Sequence, residues 1–513
     1  MLHRVLHTAA AAAFASLCFP LATVPAGAAD DDGAALLAKH AAYVGWHEGD
    51  GVVKTLRETG EIRREGKTRG MLTSLRFGIA HRNTSVTADG AHSDEGFTGS
   101  VSWHSNENGF TVRAIGEVVR ALYDVDALFG ETTASGAFTG AARGTQKVDG
   151  TDCTIVRLTS QVGFPIDVYV DPASGAYRRA VIDPDGKYEE SFDGLDYTAV
   201  EGKRFLSAWH YGSSKTRYAY TKIEPNAAIE PDALRPPKQT ATWSFGDQPA
   251  AIEYVDQPAP RIYVDLVVNG VKGKFILDTG AEGTAVVDSF ARRVGAKRFG
   301  ELSVGGIGPG AVTANLFRVD TVAVGGSTLH DLIISSGLDE ELFAHEGVVG
   351  LIGFDLLAGA VADLSLDAKT LRLMDPAKVA PDERAGIVVH VDLSDGHIRT
   401  PMRVNDKVDV IATLDSGNPS DVLVSTDFVK KNRLDFMTKY YAVASGVGGS
   451  ELQHCGKLSS LSLGPVRYPS PATCDSPSFA QNEILVGLDF MRAFNFVFDY
   501  SNGIVVMIPR KSY

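Results

Sequence analysis

Past residue 46 the chain reads as short runs of strand-forming residues separated by clusters of Pro, Asp and Gly, the pattern of antiparallel strands joined by tight turns. The clearest stretch is residues 164–170, then Asp171-Pro172-Ala173-Ser174-Gly175, then 177–182, then Asp183-Pro184-Asp185-Gly186, then Tyr188 onward. Each cluster ends one strand and starts the next, which predicts a meander, and the runs at 205–211 and 217–223 extend it. Ahead of it, Leu36, Leu37, Ala41 and Val44 share one face between residues 30 and 46, which predicts an amphipathic helix. Residues 225–237, rich in Pro, Ala and charge, mark a boundary.

The first 29 residues follow a different logic. Arg4 precedes an apolar run over 9–24, and Ala26-Gly27-Ala28 then offers small residues for cleavage, so residues 1–29 are expected to be a signal peptide and the mature protein periplasmic or secreted. No later stretch of about 20 apolar residues predicts a transmembrane segment. With 513 residues and 44% hydrophobic content, the chain has room for about three domains. Its 49 Lys and Arg against 63 Asp and Glu give a net charge of −14 without a basic run, which excludes nucleic acid and anionic membrane surfaces as expected partners. Cys153, Cys455 and Cys474 remain after export. A hairpin turning at Gly464-Pro465 would set Cys455 opposite Cys474, where a disulfide can form, while Cys153 reads as a core residue.

The remainder is a repeat written twice. The first copy runs Tyr263-Val264-Asp265-Leu266-Val267-Val268-Asn269-Gly270, then Phe275-Ile276-Leu277-Asp278-Thr279-Gly280-Ala281. The second runs through 398–404, Asn405-Asp406, and then Ile411-Ala412-Thr413-Leu414-Asp415-Ser416-Gly417-Asn418. Short helices carrying Phe290 and Phe428 follow, then the glycine-rich tips Gly305-Gly306-Ile307-Gly308 and Gly446-Val447-Gly448-Gly449. Last come Leu351-Ile352-Gly353-Phe354-Asp355 and Leu485-Val486-Gly487-Leu488-Asp489. A single Asp-Thr/Ser-Gly triplet arises by chance in roughly one chain in five of this length and reads as a turn. Two of them, each capping an apolar strand and each followed at matched distance by an apolar-apolar-Gly element, are not explained that way.

These residues resemble the retropepsin-like aspartic proteases over 241–513, as two subunits fused in one chain. The resemblance implies a catalytic pair, Asp278 and Asp415, supported by Thr279, Gly280, Ser416 and Gly417. It also implies two flaps, carrying Gly306, Ile307 and Gly308 in one lobe and Gly446, Val447 and Gly448 in the other, that close over an extended peptide. Residues 30–240 weakly resemble the LolA-like periplasmic lipoprotein carriers, which implies a half-barrel holding a hydrophobic ligand. A β domain that only assists folding, export or substrate presentation fits the same turn chemistry.

The expected fold class is therefore mainly β: an N-terminal antiparallel half-barrel-like domain with an amphipathic helix (30–240), followed by two retropepsin-like lobes (241–383 and 384–513) forming a bilobal aspartic protease. The expected activity is endopeptidase hydrolysis of a peptide or protein substrate, with a monomer sufficient for the active site. Asn418, Pro419 and Asp421 depart from the family pattern and bear on whether the second loop is fully active: Pro419 removes a backbone donor, and Asp421 can add a third negative charge. Asp355 and Asp489 are expected to bond local backbone, and Glu282 to be solvated. His47-Glu48 and His345-Glu346 never complete His-Glu-x-x-His, and neither a Gly-x-Ser-x-Gly elbow nor a phosphate loop occurs, so no metal or cofactor is expected. Two alternatives stay open: a binding protein that holds a lipid or an extended peptide without cutting, and a site built from Asp278 of two molecules.

Overall fold

The computed structural model describes residues 31–511 except 79, 88–91, 100–101, 115–127, 129–137, 161–163, 185–188, 213, 257–259, 305–311, 345–346, 394–395, 447–448 and 480–483. The expected signal peptide and the flap-tip residues Gly306, Ile307, Gly308, Val447 and Gly448 lie outside the described residues. The fold is mainly β.

Thirteen strands between Thr55 and Pro225 form one antiparallel sheet. Sequence neighbours are sheet neighbours except Thr111–Ala114 and Thr139–Val148, which form the two edges, and Thr55–Arg64 pairs with Thr216–Pro225. The strands expected from the turn clusters are present as Ile166–Val170, Tyr177–Ile182, Glu190–Val200, Lys203–Tyr211 and Thr216–Pro225. The helix Asp31–Val44 lays Leu36 and Leu37 on a core of Val156, Leu158, Ile166 and Val168. Its His40 stacks on Tyr177, ring centroids 3.5 Å apart. Cys153 is buried in the same sheet.

Beyond this sheet, two β units repeat one set of connections. In the first, Arg261–Val268 and Val271–Leu277 form a hairpin whose second strand runs parallel to Val348–Ile352. Ala285–Val287 fits between Val348–Ile352 and Ser327–Leu338, antiparallel to one and parallel to the other. In the second unit, Arg399–Val404, Val408–Asp415, Ile484–Gly487, Val422–Ser425 and Ala472–Ser476 take the same places. The central strands are apolar without alternation, as at Phe275-Ile276-Leu277, because both of their faces are covered. The expected short helices are Asp288–Arg293 and Thr426–Lys431, which bury Phe290 and Phe428. The Ser425 Oγ caps the second, accepting from the Phe428 amide at 3.1 Å.

The units share a seam. Ala250–Val255, Thr370–Met374 and Val361–Ser365 continue through Phe494–Asp499, Ile504–Pro509 and Ile387–His390 as one antiparallel run, with Val361 paired to Asp499 where the units meet. A single apolar core runs beneath it. The N-terminal sheet is pinned to the first unit by its turn at Asn106–Phe110. There the Asn108 Nδ2 donates to the Ile333 carbonyl (3.0 Å), its Oδ1 accepts from the Ile333 amide (2.7 Å), and Phe110 enters the core beneath the two units.

Cys455 and Cys474 are register partners and form a disulfide. The turn at Gly464-Pro465 is also present, but it closes a separate hairpin, Ser460–Leu463 with Val466–Pro469, which pairs with Arg399–Val404. The single hairpin expected from the sequence is thus two nested strand pairs. Because the bridge ties residues 19 apart, replacing both cysteines by Ser should cost roughly 3 kcal/mol of unfolding free energy. Denaturant titration of the oxidised wild type beside the double variant measures it, and an unchanged midpoint would contradict the expectation.

Candidate active site

Asp278 follows the strand Val271–Leu277 and Asp415 ends the strand Val408–Asp415, so each carboxyl leaves a rigid, buried strand and enters a tight turn. The turns match. The Ala281 amide returns to the Asp278 carbonyl and the Asn418 amide to the Asp415 carbonyl, each at 3.3 Å. Between the turns lies a buried, two-fold set of hydrogen bonds. The Thr279 hydroxyl donates to the Leu414 carbonyl (2.8 Å) and the Ser416 hydroxyl to the Leu277 carbonyl (2.7 Å). Each hydroxyl oxygen also accepts the other residue's amide, at 3.1 Å from Thr279 and 3.0 Å from Ser416. Thr279 and Ser416 are 2% and 0% exposed, so disrupting this set would break four buried hydrogen bonds.

The glycines explain how close the turns come. A Cβ added to Gly280 would stand 2.5 Å from the Asp415 carboxyl carbon, and one on Gly417 would overlap the Asp278 carboxyl. Each carboxyl therefore rests on the opposite turn's glycine backbone. Behind the turns, a Cβ on Gly353 would overlap the Gly283 carbonyl and one on Gly487 the Ser420 carbonyl. That close approach accounts for the glycine in both apolar-apolar-Gly elements.

The two carboxyls are close enough to act on each other electrostatically, each lying against the other turn's glycine. Burial pushes Asp278 well above the usual carboxylate range, and the neighbouring Asp415 charge pushes the same way. Burial also raises Asp415, while the Asp278 side chain and two amides oppose it. The asymmetry is visible in the donors. Asp415 Oδ1 accepts from the Gly417 amide (2.9 Å) and the Asn418 amide (3.2 Å), whereas Asp278 Oδ1 accepts from the Gly280 amide alone (3.0 Å). The additional amide favours the charged form at Asp415 over that at Asp278, while the titration steps belong to the pair.

The atypical residues of the second turn have specific partners. Asp421 accepts from the Tyr468 hydroxyl (2.9 Å) and the Ala472 amide (2.8 Å), which engages its carboxylate in the fold rather than at the pair. Asn418 Oδ1 accepts from the amide (3.1 Å) and hydroxyl (2.8 Å) of Ser420, so the residue beside Pro419 is held locally. In the first unit the matching place is Thr284, bonded to Asp355 through its amide (2.9 Å) and hydroxyl (2.6 Å). Asp489 instead pairs with Arg492 at 3.0 Å. Glu282 is exposed. Of the expected flaps, Gly446 ends Met437–Gly446 and pairs with Gly449, and the first hairpin closes at Val304 with Val312.

Burial pushes Asp355 up to about 6. A carboxyl whose folded value lies above its unfolded one stabilises most at low pH, and that contribution fades as pH rises through the folded value. Stability is therefore expected to fall through about pH 6, by an amount on the order of 3 kcal/mol for a shift of about two units. Asp355→Asn should flatten that part of the stability–pH curve; an unaltered slope in thermal unfolding would refute it.

Sequence reasoning missed one neighbour of the pair. Arg399 is the register partner of Thr413 and the Leu414 amide donates to the Ile398 carbonyl, so the next step sets His397 opposite Asp415. Counting back across the Asn405-Asp406 turn would have reached it, but the expected strand began one residue later.

Residues 264–356 match a family described as aspartyl protease. No curated protein matches the chain. Among solved structures, a retropepsin-like aspartic protease from Rickettsia conorii is 17% identical and covers 24% of this chain and 87% of its own, with a TM-score of 0.19. A DUF1329 family protein from Desulfovibrio piger is 14% identical and covers 40% of this chain and 97% of its own, with a TM-score of 0.29. Among the described residues, no helix is long and apolar enough to cross a membrane. The segment that is similar to the aspartyl protease family spans the first Asp-Thr-Gly turn and its apolar-apolar-Gly strand.

Proposed function

We propose that the protein is an exported aspartic endopeptidase in which Asp278 and Asp415 act as one catalytic pair. The observation that carries this reading is the contact of the two carboxyls across matched turns, each on the other turn's glycine. Peptide hydrolysis without a metal or a nucleophilic side chain needs one group to take a proton from water and another to give one to the carbonyl oxygen. Two full charges at about 3 Å would repel by roughly 5 kcal/mol at an effective dielectric near 20, so such a pair keeps one proton and can do both. Shared protons of this kind are the known behaviour of aspartic protease dyads.

In this assignment ionised Asp415 draws the proton from water, and protonated Asp278 hydrogen-bonds the scissile carbonyl and donates as the tetrahedral intermediate forms. Thr279 and Ser416 hold the carboxyls in place. The two glycine-tipped hairpins bind an extended peptide through main-chain bonds, which leaves specificity to side-chain pockets. The test is digestion of denatured proteins between pH 3 and 7, with and without a pepstatin-type inhibitor, read by mass spectrometry. Inhibitor-sensitive internal cleavage is expected. Absence of cleavage at every pH would favour a protein that grips peptides without cutting them.

A further inference from the structure

His397 belongs to neither Asp-Thr/Ser-Gly triplet, yet the fold carries it to the pair. It precedes Ile398, whose carbonyl accepts the Leu414 amide at 3.0 Å, and the Leu414 carbonyl in turn accepts the Thr279 hydroxyl at 2.8 Å. The residue is thus one step from the hydrogen bonds that lock the turns, in the bend just ahead of the strand Arg399–Val404. Gly396 beside it packs on the other unit: a Cβ there would stand 3.4 Å from the Glu282 Cα. Charged groups surround His397 from three segments. They are Asp415 across the register, Asp278 beyond it, and Glu282 on the opposing turn, while Asp392 and Arg399 of its own segment are tied together by backbone bonds of 2.8 and 2.9 Å. In the first unit, continuing the pairing of Tyr263 with Ile276 sets Arg261 opposite Asp278. Matched positions thus hold one permanent cation and one titratable one.

We infer that His397 is a positioning residue whose imidazolium sets the acid limb of the pH–activity profile of the Asp278/Asp415 pair. The inference rests on the peptidase reading and concerns how that site is tuned. A positive His397 acts on both carboxyls, lowering each. The pair works with one proton; below its first titration step it holds two and is inactive. A cation nearby makes the first proton easier to lose, so the working form survives to lower pH. Imidazole is charged in that acid range and neutral well above its ordinary value near 6.5. The alkaline limb, where the last proton leaves, therefore feels it little. The consequence is a broader acid range without loss at the neutral end, which a permanent cation at the same place would not provide.

The experiment compares kcat/KM against pH for wild type, His397→Phe, His397→Gln and His397→Lys, with thermal unfolding to establish that each is folded. For Phe and Gln the acid limb should move up by about one pH unit while the alkaline limb stays put. For Lys the acid limb should stay and the alkaline limb should move down. Superimposable profiles, or profiles that change only in height, would overturn the inference. The carboxyl 13C resonances of the two aspartates, followed through the same range without substrate, give a second readout. If the wild type cleaves nothing, the peptidase reading fails, yet an aspartate titration that shifts in His397→Phe would still support the tuning role. An unshifted titration would end it.

Discussion

Asp278→Asn is expected to lower kcat by at least about 10³-fold, and Asp415→Asn by a similar factor, with little change in unfolding midpoint. General acid–base catalysis by a positioned side chain contributes about 10²–10⁴-fold, and here one pair supplies both the acid and the base. An amide nearly matches the carboxyl in shape, so the matched turns and their cross-bonds stay in place while the shared proton is lost. The double variant should be about as slow as either single one, because residues that act as a unit do not add. Asp415→Asn also separates two arrangements. A site built from Asp278 of two molecules would keep turning over without Asp415, whereas the contact between the two carboxyls within one chain predicts that it will not. Inhibitor-sensitive cleavage within about tenfold of the wild-type rate in either variant would remove the pair from the mechanism.

Gly417→Ala should be nearly as damaging for a different reason. The added methyl would overlap the Asp278 carboxyl, and because the Ser416 hydroxyl and amide are fixed to Leu277 and Thr279, the turn has nowhere to retreat. The carboxyls must separate, and on the proposed mechanism the proton sharing between them is lost. Misplacing reacting groups by about 1 Å costs on the order of 10²-fold, and this displacement is of that size or larger. Overpacking a buried site also destabilises, typically by about 1–3 kcal/mol. The informative outcome is a loss of kcat with most of the fold retained in near-UV circular dichroism. Full activity would mean that the turns lie farther apart than described.

Much of this was legible beforehand because it rests on local chemistry. The turn clusters at 171–175 and 183–186 punctuate strands by backbone preference alone, and the helix over Asp31–Val44 follows from spacing. Both aspartates could be named because the repeat preserves residue type and distance. The course of the chain between Cys455 and Cys474 could not be read in full, since a hairpin can leave one sheet position and join another without changing its turn residues. Asp421 looked like a third charge because sequence proximity does not say where a side chain finds its donors; Tyr468 and Ala472 lie 47 and 51 residues away. His397 escaped because register, not spacing along the chain, brings it to Asp415. Nor does any motif announce that Asn108, 225 residues distant, clasps Ile333.

On the proposed reading, the seam that pairs Val361–Ser365 with Phe494–Asp499 has a consequence for how the protein behaves in a test tube and over generations. An active site assembled from separate identical subunits melts away on dilution, since its halves must find each other. Halves joined covalently and stitched by an internal sheet remain together at any concentration, so specific activity should be constant down to the most dilute enzyme that can be assayed. The same tether releases the halves from having to be identical. Arg261 and His397, or Thr284 and Asp421, could then drift apart at corresponding places, giving the shared proton a preferred home that a symmetric assembly has no means to choose.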